Sequence, residues 1–399
     1  MMLALRSLLV IVGCILYMQF LSACESRPDT NSCADEPHST SEMEVDHVVL
    51  SSPTNLSWGW FPIDKEAVLT VQSGQTVEIH TLTAAGLYQD FHPIDELVGM
   101  GVPENEALPD LVEFWKTRKS RPREGRAAHL ITGPVYIDGA EPGDTLEIQV
   151  IDMRPRVPWG FNSTRAHSGV MSKTHPGSRD GDRGVDIPPE TDDAPPEEWR
   201  IIKTKQSDNG FVGVYESGIA VPLAPFRGVM AVAPVPVRGD PGVSVEGGQS
   251  SGPPGAYGGN LDVTHLTVGT KLFLPVFHSG ARFYVGDPHG AQGDGEVSGL
   301  AIEQSMVGVF RFIVHKGMAT QQPRAESTTH HMIMGMGLDL DRALRNATEN
   351  VIDFLVERYG IRPATAYSIA SVAVDFTISE AVNETQVVTA FIPKSLFSH

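Results

Sequence analysis

Glycine and proline cut this chain so often that a long helix has room in only one place. The 39 Gly and 29 Pro among 399 residues follow no collagen-like period, and such punctuation joins many short strands by turns rather than building a helical bundle. From Val45 onward the apolar runs are short and rich in β-branched residues: Val48-Val49-Leu50, Ala67–Val71, Thr76–His80, Gly133–Ile137 and Asp144–Val150. The turns Ser73-Gly74-Gln75 and Asp138–Gly143 each separate two such runs, which predicts two β-hairpins of similar form. Strand signals resume at Phe211 and continue through Gly228–Ala233, Lys271–Phe277 and Met306–Phe312. The exception is Asp339–Tyr359, where Leu340, Ala343, Leu344, Ala347, Val351, Phe354 and Leu355 recur at helical spacing and Gly360 ends the helix. A shorter helix at Ala364–Ala373 and a strand at Val387–Ile392 complete a C-terminal portion. The expected class is therefore mainly β, sandwich-like with mixed sheets, with an α+β C-terminal portion.

The first 24 residues read as an address. Arg6 precedes an apolar run from Leu8 to Leu21, too short for a comfortable membrane span, and Ser22-Ala23-Cys24 follows, the pattern of a signal peptide. Leu21-Ser22-Ala23-Cys24 resembles a bacterial lipobox, which implies a lipid on Cys24 as membrane anchor. An ordinary signal peptide cut near the same place is the other reading, and both export the protein. Glu25 rather than Asp after the cysteine points to the outer membrane, facing the periplasm. Residues 25–46 are polar and rich in Ser, Asp, Glu and Pro, the composition of a tether. The folded body is expected over residues 47–399, with 162–210, where periodicity is weak, as an insertion or long loop. The sequons at Asn55, Asn162, Asn346 and Asn383 would matter only in a eukaryotic secretory pathway.

Charge and cysteines narrow the chemistry. A formal net charge of −19, with no Lys/Arg cluster, argues against nucleic acid as a partner. All three cysteines, Cys14, Cys24 and Cys33, precede the body, so neither a cysteine nucleophile nor a cysteine-ligated zinc operates in it.

The densest group of reactive side chains is Gly286-Asp287-Pro288-His289-Gly290-Ala291-Gln292-Gly293-Asp294-Gly295-Glu296. Glycines let a loop turn tightly enough for carboxylates and an imidazole to converge on a cation. Equally, a turn-rich loop uses Asp and Gly for turn geometry alone. Ser250–Asp262 is a second glycine-rich segment, closed by Asn260 and Asp262, and His129 offers another imidazole at the start of a strand. His330 and His331 are adjacent, so in a strand they point apart and cannot share a metal.

Together Thr132–Asp144, Pro225–Val229, Gly258–Asp262 and Gly286–Glu296 resemble, in the same order, the acetamidase/formamidase family, and the likeness extends over nearly all of the chain from about residue 45. The resemblance implies hydrolysis of small linear amides of the formamide or acetamide type to carboxylate and ammonia, with a bound divalent metal. Carried over residue by residue, His129, Asp262, Asp287 and His289 are the expected metal ligands, with zinc suited to mixed imidazole and carboxylate donors. Glu296 and Asp294 are the candidate bases, and Asn260, Gln292 and Glu141 the residues expected to touch the substrate. Thr83 and Ser298 depart from the family pattern, as does the 162–210 stretch, which bears on substrate choice. A homo-oligomer is compatible with the resemblance. The alternative from another class is an exported, lipid-anchored binding protein that holds a small molecule or a metal on the same scaffold without turnover.

Overall fold

The β-branched runs do form strands in the computed structural model, which describes residues 44–125, 127–165, 169–171, 197–208, 210–215, 218–235 and 244–397. The expected signal peptide with Cys24, nearly all of the expected tether and the middle of the 162–210 stretch lie outside the described residues. Val45–His399 forms one compact unit.

Neither expected hairpin exists. Leu69–Val71 and Thr76–Thr81 are strands, but the first pairs in parallel with Leu130–Ile137, while the second pairs with His47–Val49 and Met306–His315. Likewise Leu130–Ile137 lies in one sheet and Thr145–Pro155 in the other, beside Met306–His315 and Lys271–Pro275. Both Gly-bearing turns are corners at which the chain crosses between sheets. At the first corner the Gly74 N–H donates to Phe312 O at 2.7 Å, tying the turn to a strand far along the chain. The period-two pattern of each run reports which face is buried, and it is the same whether the next run pairs beside it or opposite it.

Among the described residues, one sheet carries nine strands in the order His47–Val49, Thr76–Thr81, Met306–His315, Thr145–Pro155, Lys271–Pro275, Arg324–Glu326, His330–Gly337, Gln386–Pro393, Asp375–Glu380. The second runs Ala220–Pro222, Gly210–Val214, Glu197–Ser207, Trp159–Arg165, Ile302–Glu303, Phe283–Ala291, Phe226–Ala231, Gly258–Asn260. Leu130–Ile137 joins it on Phe283–Ala291 and carries Leu56–Trp58 and Leu69–Val71. The sheets pack face to face. Val77, Ile79, Phe310 and Phe312 of the first meet Ile131, Val135, Phe283 and Val285 of the second in one core, where the Phe283 ring lies 4.9 Å from Phe312 and 5.8 Å from Phe310. That is the sandwich the composition predicts.

The C-terminal portion follows the sequence closely. Leu340–Tyr359 is helical, Asp339 caps it by accepting the Arg342 N–H at 2.7 Å, and Gly360 ends it at φ 64°. It lies on His330–Gly337 at very close range, since a Cβ added at Gly335 would stand 2.0 Å from Ala347 N. Pro363–Ala373 is the second helix and Gln386–Pro393 the last strand. Two short helices, Pro93–Gly99 and Pro109–Lys116, were not expected from the sequence. They cover a second core of Leu82, Leu87, Leu97, Leu111, Phe114, Leu130 and Phe161. The 162–210 stretch is not a plain loop, because its ends pair antiparallel as Trp159–Arg165 and Glu197–Ser207. No described helix is long and apolar enough to cross a membrane.

Candidate active site

Strand Phe283–Ala291 is where the site originates. On one edge Phe226–Ala231 pairs along it. On the other, Leu130–Ile137 pairs only as far as Gly286, and Ile302–Glu303 takes over at His289. Asp287 and Pro288 fall in the gap, and the register shifts just beyond it, between His289 and Ala291. A split edge with a bulge leaves room for side chains to meet instead of pairing backbone. The expected metal-bearing loop is therefore half strand, with only residues 292–296 in the turn that follows.

Around the gap the chain gathers His129, Asp262, Asp287, His289, Glu296 and Glu303. His289 Nε2 lies 3.2 Å from Asp287 Oδ2 and 3.3 Å from Glu303 Oε1, and His129 Nε2 lies 3.8 Å from Asp287 Oδ2. Asp262 Oδ1 is 4.0 Å from His289 Nδ1. Donor atoms of Asp262, Asp287 and His289, and of His289, Glu296 and Glu303, fall within 4.8 Å of one another. Asp262, Asp287 and Glu296 have φ of 48°, 50° and 44°, three of the five non-glycine residues with positive φ among the described residues. Each such conformation costs about 1–3 kcal/mol and persists where surrounding structure imposes it.

These groups are held from behind. Gln292 Nε2 donates to Asp262 O at 2.9 Å, which orients its amide so that Oε1 accepts from His289 Nδ1 at 2.9 Å. Nδ1 then carries a proton, which leaves Nε2, facing the carboxylates, as the ring nitrogen through which His289 would hold a metal. His129 Nδ1 is 3.1 Å from Ser251 Oγ. Asn383 Nδ2 donates to Asp262 Oδ2 at 2.8 Å, and Glu380 accepts the Val382 and Asn383 backbone N–H groups.

The electrostatics describe a site short of positive charge. Burial, reinforced by Asp287, pushes the Asp262 carboxyl up to about 7, against the pull of His289 and His129. Burial likewise raises Glu303, and burial followed by Asp262 holds Glu296 well above the usual range. Asp287 is the exception. Burial pushes it up, but His129 and His289 outweigh that and hold it well below the usual range. Burial pulls the His289 imidazole down, yet Glu303 and Asp287 push it well above its ordinary value. Arg227, fully buried on the opposite face of its strand, makes no hydrogen bond among the described residues, and burial brings it down to about 9 while Asp287 pulls it up.

A divalent cation fits these residues. Asp262 Oδ1 and His289 Nε2 are buried and make no hydrogen bond among the described residues, a condition that costs several kcal/mol per charged group unless a ligand satisfies it. A Cβ at Gly228 would stand 2.4 Å from Asp262 Oδ1, 2.6 Å from Asp287 Oδ2 and 2.8 Å from His289 Cε1. Glycine there leaves the space in front of the donors open.

Not every expected residue is present. Asp294 is exposed in the turn and accepts from Thr264 Oγ1 at 2.9 Å, outside the group. Glu141 is exposed in the corner between the sheets, where Ser279 Oγ donates to it at 2.7 Å, so it does not reach the site. Gln292 supports His289 and Asp262 and lines an adjacent hollow, not the main cavity. Asn260 does line the cavity, with its Oδ1 buried and without a hydrogen-bond partner among the described residues. Glu303, Glu380 and Asn383 were not expected at the site from the sequence, while Ser251 and Arg227 lay in expected motifs without a role of their own. A lone carboxylate inside an uncharged run, as in Ala301-Ile302-Glu303-Gln304 and Ile378-Ser379-Glu380-Ala381, was the available signal for two of them.

The cavity beside these groups has a volume of about 500 Å³. Asp262, Asp287, Glu296, Glu303, His129, Asn260 and Asn383 line its polar part. Thr83, one of the departures noted in the sequence, is also in its wall.

The model of the acetamidase/formamidase family matches residues 124–236 and 242–399. An acetamidase of Mycolicibacterium smegmatis is 27% identical over 307 residues, which span 60% of this chain and 72% of that protein. A formamidase of Methylophilus methylotrophus is 26% identical over 337 residues, 67% of this chain and 77% of that protein. Among solved structures, an acetamidase from Bacillus halodurans superposes with a TM-score of 0.66 at 25% identity, covering 88% of this chain and 98% of that one.

Proposed function

Since the chain belongs to the acetamidase/formamidase family and is an amidase, we propose that it hydrolyses a linear carboxamide to carboxylate and ammonia with a metal held by Asp262, Asp287, His289 and His129. The observation that carries this reading is the set of buried, unpartnered donor atoms beside a cavity that also contains a carboxyl suited to proton transfer. Zinc suits the mixture of imidazole and carboxylate donors. A divalent ion bound there would lower the pKa of a water to about 7 and polarise the amide carbonyl.

The chain's own residues account for the rest. Asn260 Oδ1, buried in the cavity and unpartnered, can accept an N–H of the substrate amide and so place its carbonyl carbon. Glu296 faces the same cavity with its carboxyl held well above the usual range by burial and by Asp262, the setting of a carboxyl that exchanges a proton with a reacting group. It takes the proton of the attacking water as the C–O bond forms and delivers it to the nitrogen as the C–N bond breaks, releasing ammonia. Gln292 and Ser251 keep the two imidazoles oriented throughout. A binding protein without turnover has no use for such a carboxyl next to the donors, which disfavours that alternative. Residues 1–25 carry the remaining part of the proposal, export and a lipid on Cys24 that anchors the protein to the outer membrane, facing the periplasm.

The test is ammonia release from a panel of primary amides, with and without chelator. Release that chelator abolishes and added divalent metal restores is the expected outcome. Undiminished release after the metal has been stripped would rule out the metal-dependent scheme.

A further inference from the structure

We propose that the amide taken by this site carries an aromatic acyl group of the arylacetamide kind, and that Phe161 and Trp199 select it. This rests on the amidase reading above and concerns only the part of the substrate that does not react. A cavity of about 500 Å³ is far more space than hydrogen or a methyl group on a carboxamide would fill, and falls in the range of about 300–1,000 Å³ that holds drug-sized ligands.

The space beyond the polar groups has a direction. His289 pairs in register with Glu303, and Glu303 with Phe161, so the three stand side by side across adjacent strands. Directly opposed residues sit about 4.5–5.5 Å apart, so Phe161 stands one such step from Glu303 and two from His289, on the side of the cavity away from the metal donors. Trp199, on the next strand, lies 4.7 Å from the Phe161 ring at 35°, and Tyr88 meets Trp199 edge-on at 6.4 Å and 80°. All three line the cavity, with Leu82, Leu87 and Leu300.

This wall belongs to a core of its own. Leu82, Leu87 and Phe161 belong to the core backed by Leu97, Leu111 and Phe114 of the two short helices, and Trp199 and Leu300 pack against it. A substrate must therefore present a reacting amide at one end and an apolar body at the other. A flat ring gains edge-to-face contact with Phe161 and Trp199 that an alkyl chain cannot match. The reaction is unchanged: the C–N bond breaks, water oxygen joins the carbonyl carbon, and the products are ammonia and an arylacetate.

The experiment compares kcat/KM for phenylacetamide, hexanamide and acetamide with the full chain loaded with zinc. Phenylacetamide should exceed acetamide by roughly tenfold or more, the scale of discrimination apolar pockets achieve, and should exceed hexanamide. In Trp199→Ala the ratio of phenylacetamide to acetamide should fall about tenfold. Acetamide turned over as well as or better than phenylacetamide would overturn the proposal and leave the amidase reading standing. A hexanamide preference, or an unchanged ratio in the variant, would overturn the aromatic selection. No release from any of the three would remove the amidase reading, and this proposal with it.

Discussion

Gln292 holds two parts of the site at once, the Asp262 carbonyl through Nε2 and the His289 ring through Oε1. Its removal leaves His289 free to change tautomer, while the donors themselves stay. Outer partners of this kind are worth about 10–100-fold in metal affinity, so Gln292→Ala should bind zinc about 10–100-fold more weakly in a competition titration against a chromophoric chelator. Unchanged affinity would mean that Gln292 has no part in setting the ring. At this scale the sequence displayed the donor types but not their company. Asp287 and His289 share a face because they are two apart in a strand, which spacing alone suggests. Asp294 is separated from Glu296 by the same interval yet points elsewhere, because a turn has no such rule. Asn383 stood out only as the start of a sequon, and its bond to Asp262 spans 121 residues.

The helix Leu340–Tyr359 is the most legible element, and His331, on the strand His330–Gly337 beneath it, gives the pair a pH signature. His331 Nε2 is 3.0 Å from Tyr359 Oη, and Nδ1 is 3.6 Å from Glu326 Oε2. Burial first, then Lys394, lowers the imidazole to about 4, despite the opposing pull of Glu326. Between about 4 and the ordinary value of 6.5 the unfolded chain holds a proton that the folded chain does not. Stability from this group is therefore present above the unfolded value and lost as pH falls through the folded one. Thermal melts should show the wild type losing more Tm than His331→Gln between pH 6.5 and 4. Parallel curves would refute the assignment. Elsewhere at this scale the sequence was legible for strand positions and silent on pairing. The runs around Gly74 and Gly139 look like hairpins because each buries alternate residues around a turn, and that pattern is unaltered when the turn is a corner between sheets.

For the molecule as a whole, the compact unit begins at Val45, and Asp46 secures that start by accepting the Thr76 N–H and Oγ1–H, each at 2.7 Å. A chain beginning at Val45 should keep the full chain's Tm within about 2 °C, whereas one beginning at Val48 should melt several degrees lower. Equal Tm for the two would show that Asp46 contributes nothing measurable. The sequence by itself determined what depends on nearest neighbours: β-rich architecture from its glycines and prolines, the C-terminal helix from its spacing and caps, and the donor-rich segment from residue types. It also carried, through motifs in a fixed order, the family and hence the amide chemistry. Only the tertiary structure decided which carboxylates meet. Glu303 and Glu380 reach the site, or the residues that hold it, from distant strands, while Glu141 is carried off to a corner. The size and aromatic lining of the cavity belong to the same class of fact, since they arise where two cores and a split strand edge adjoin. The physical reason is range: propensity and periodicity act over a few residues, whereas a site is a convergence of strands whose order no local interaction specifies.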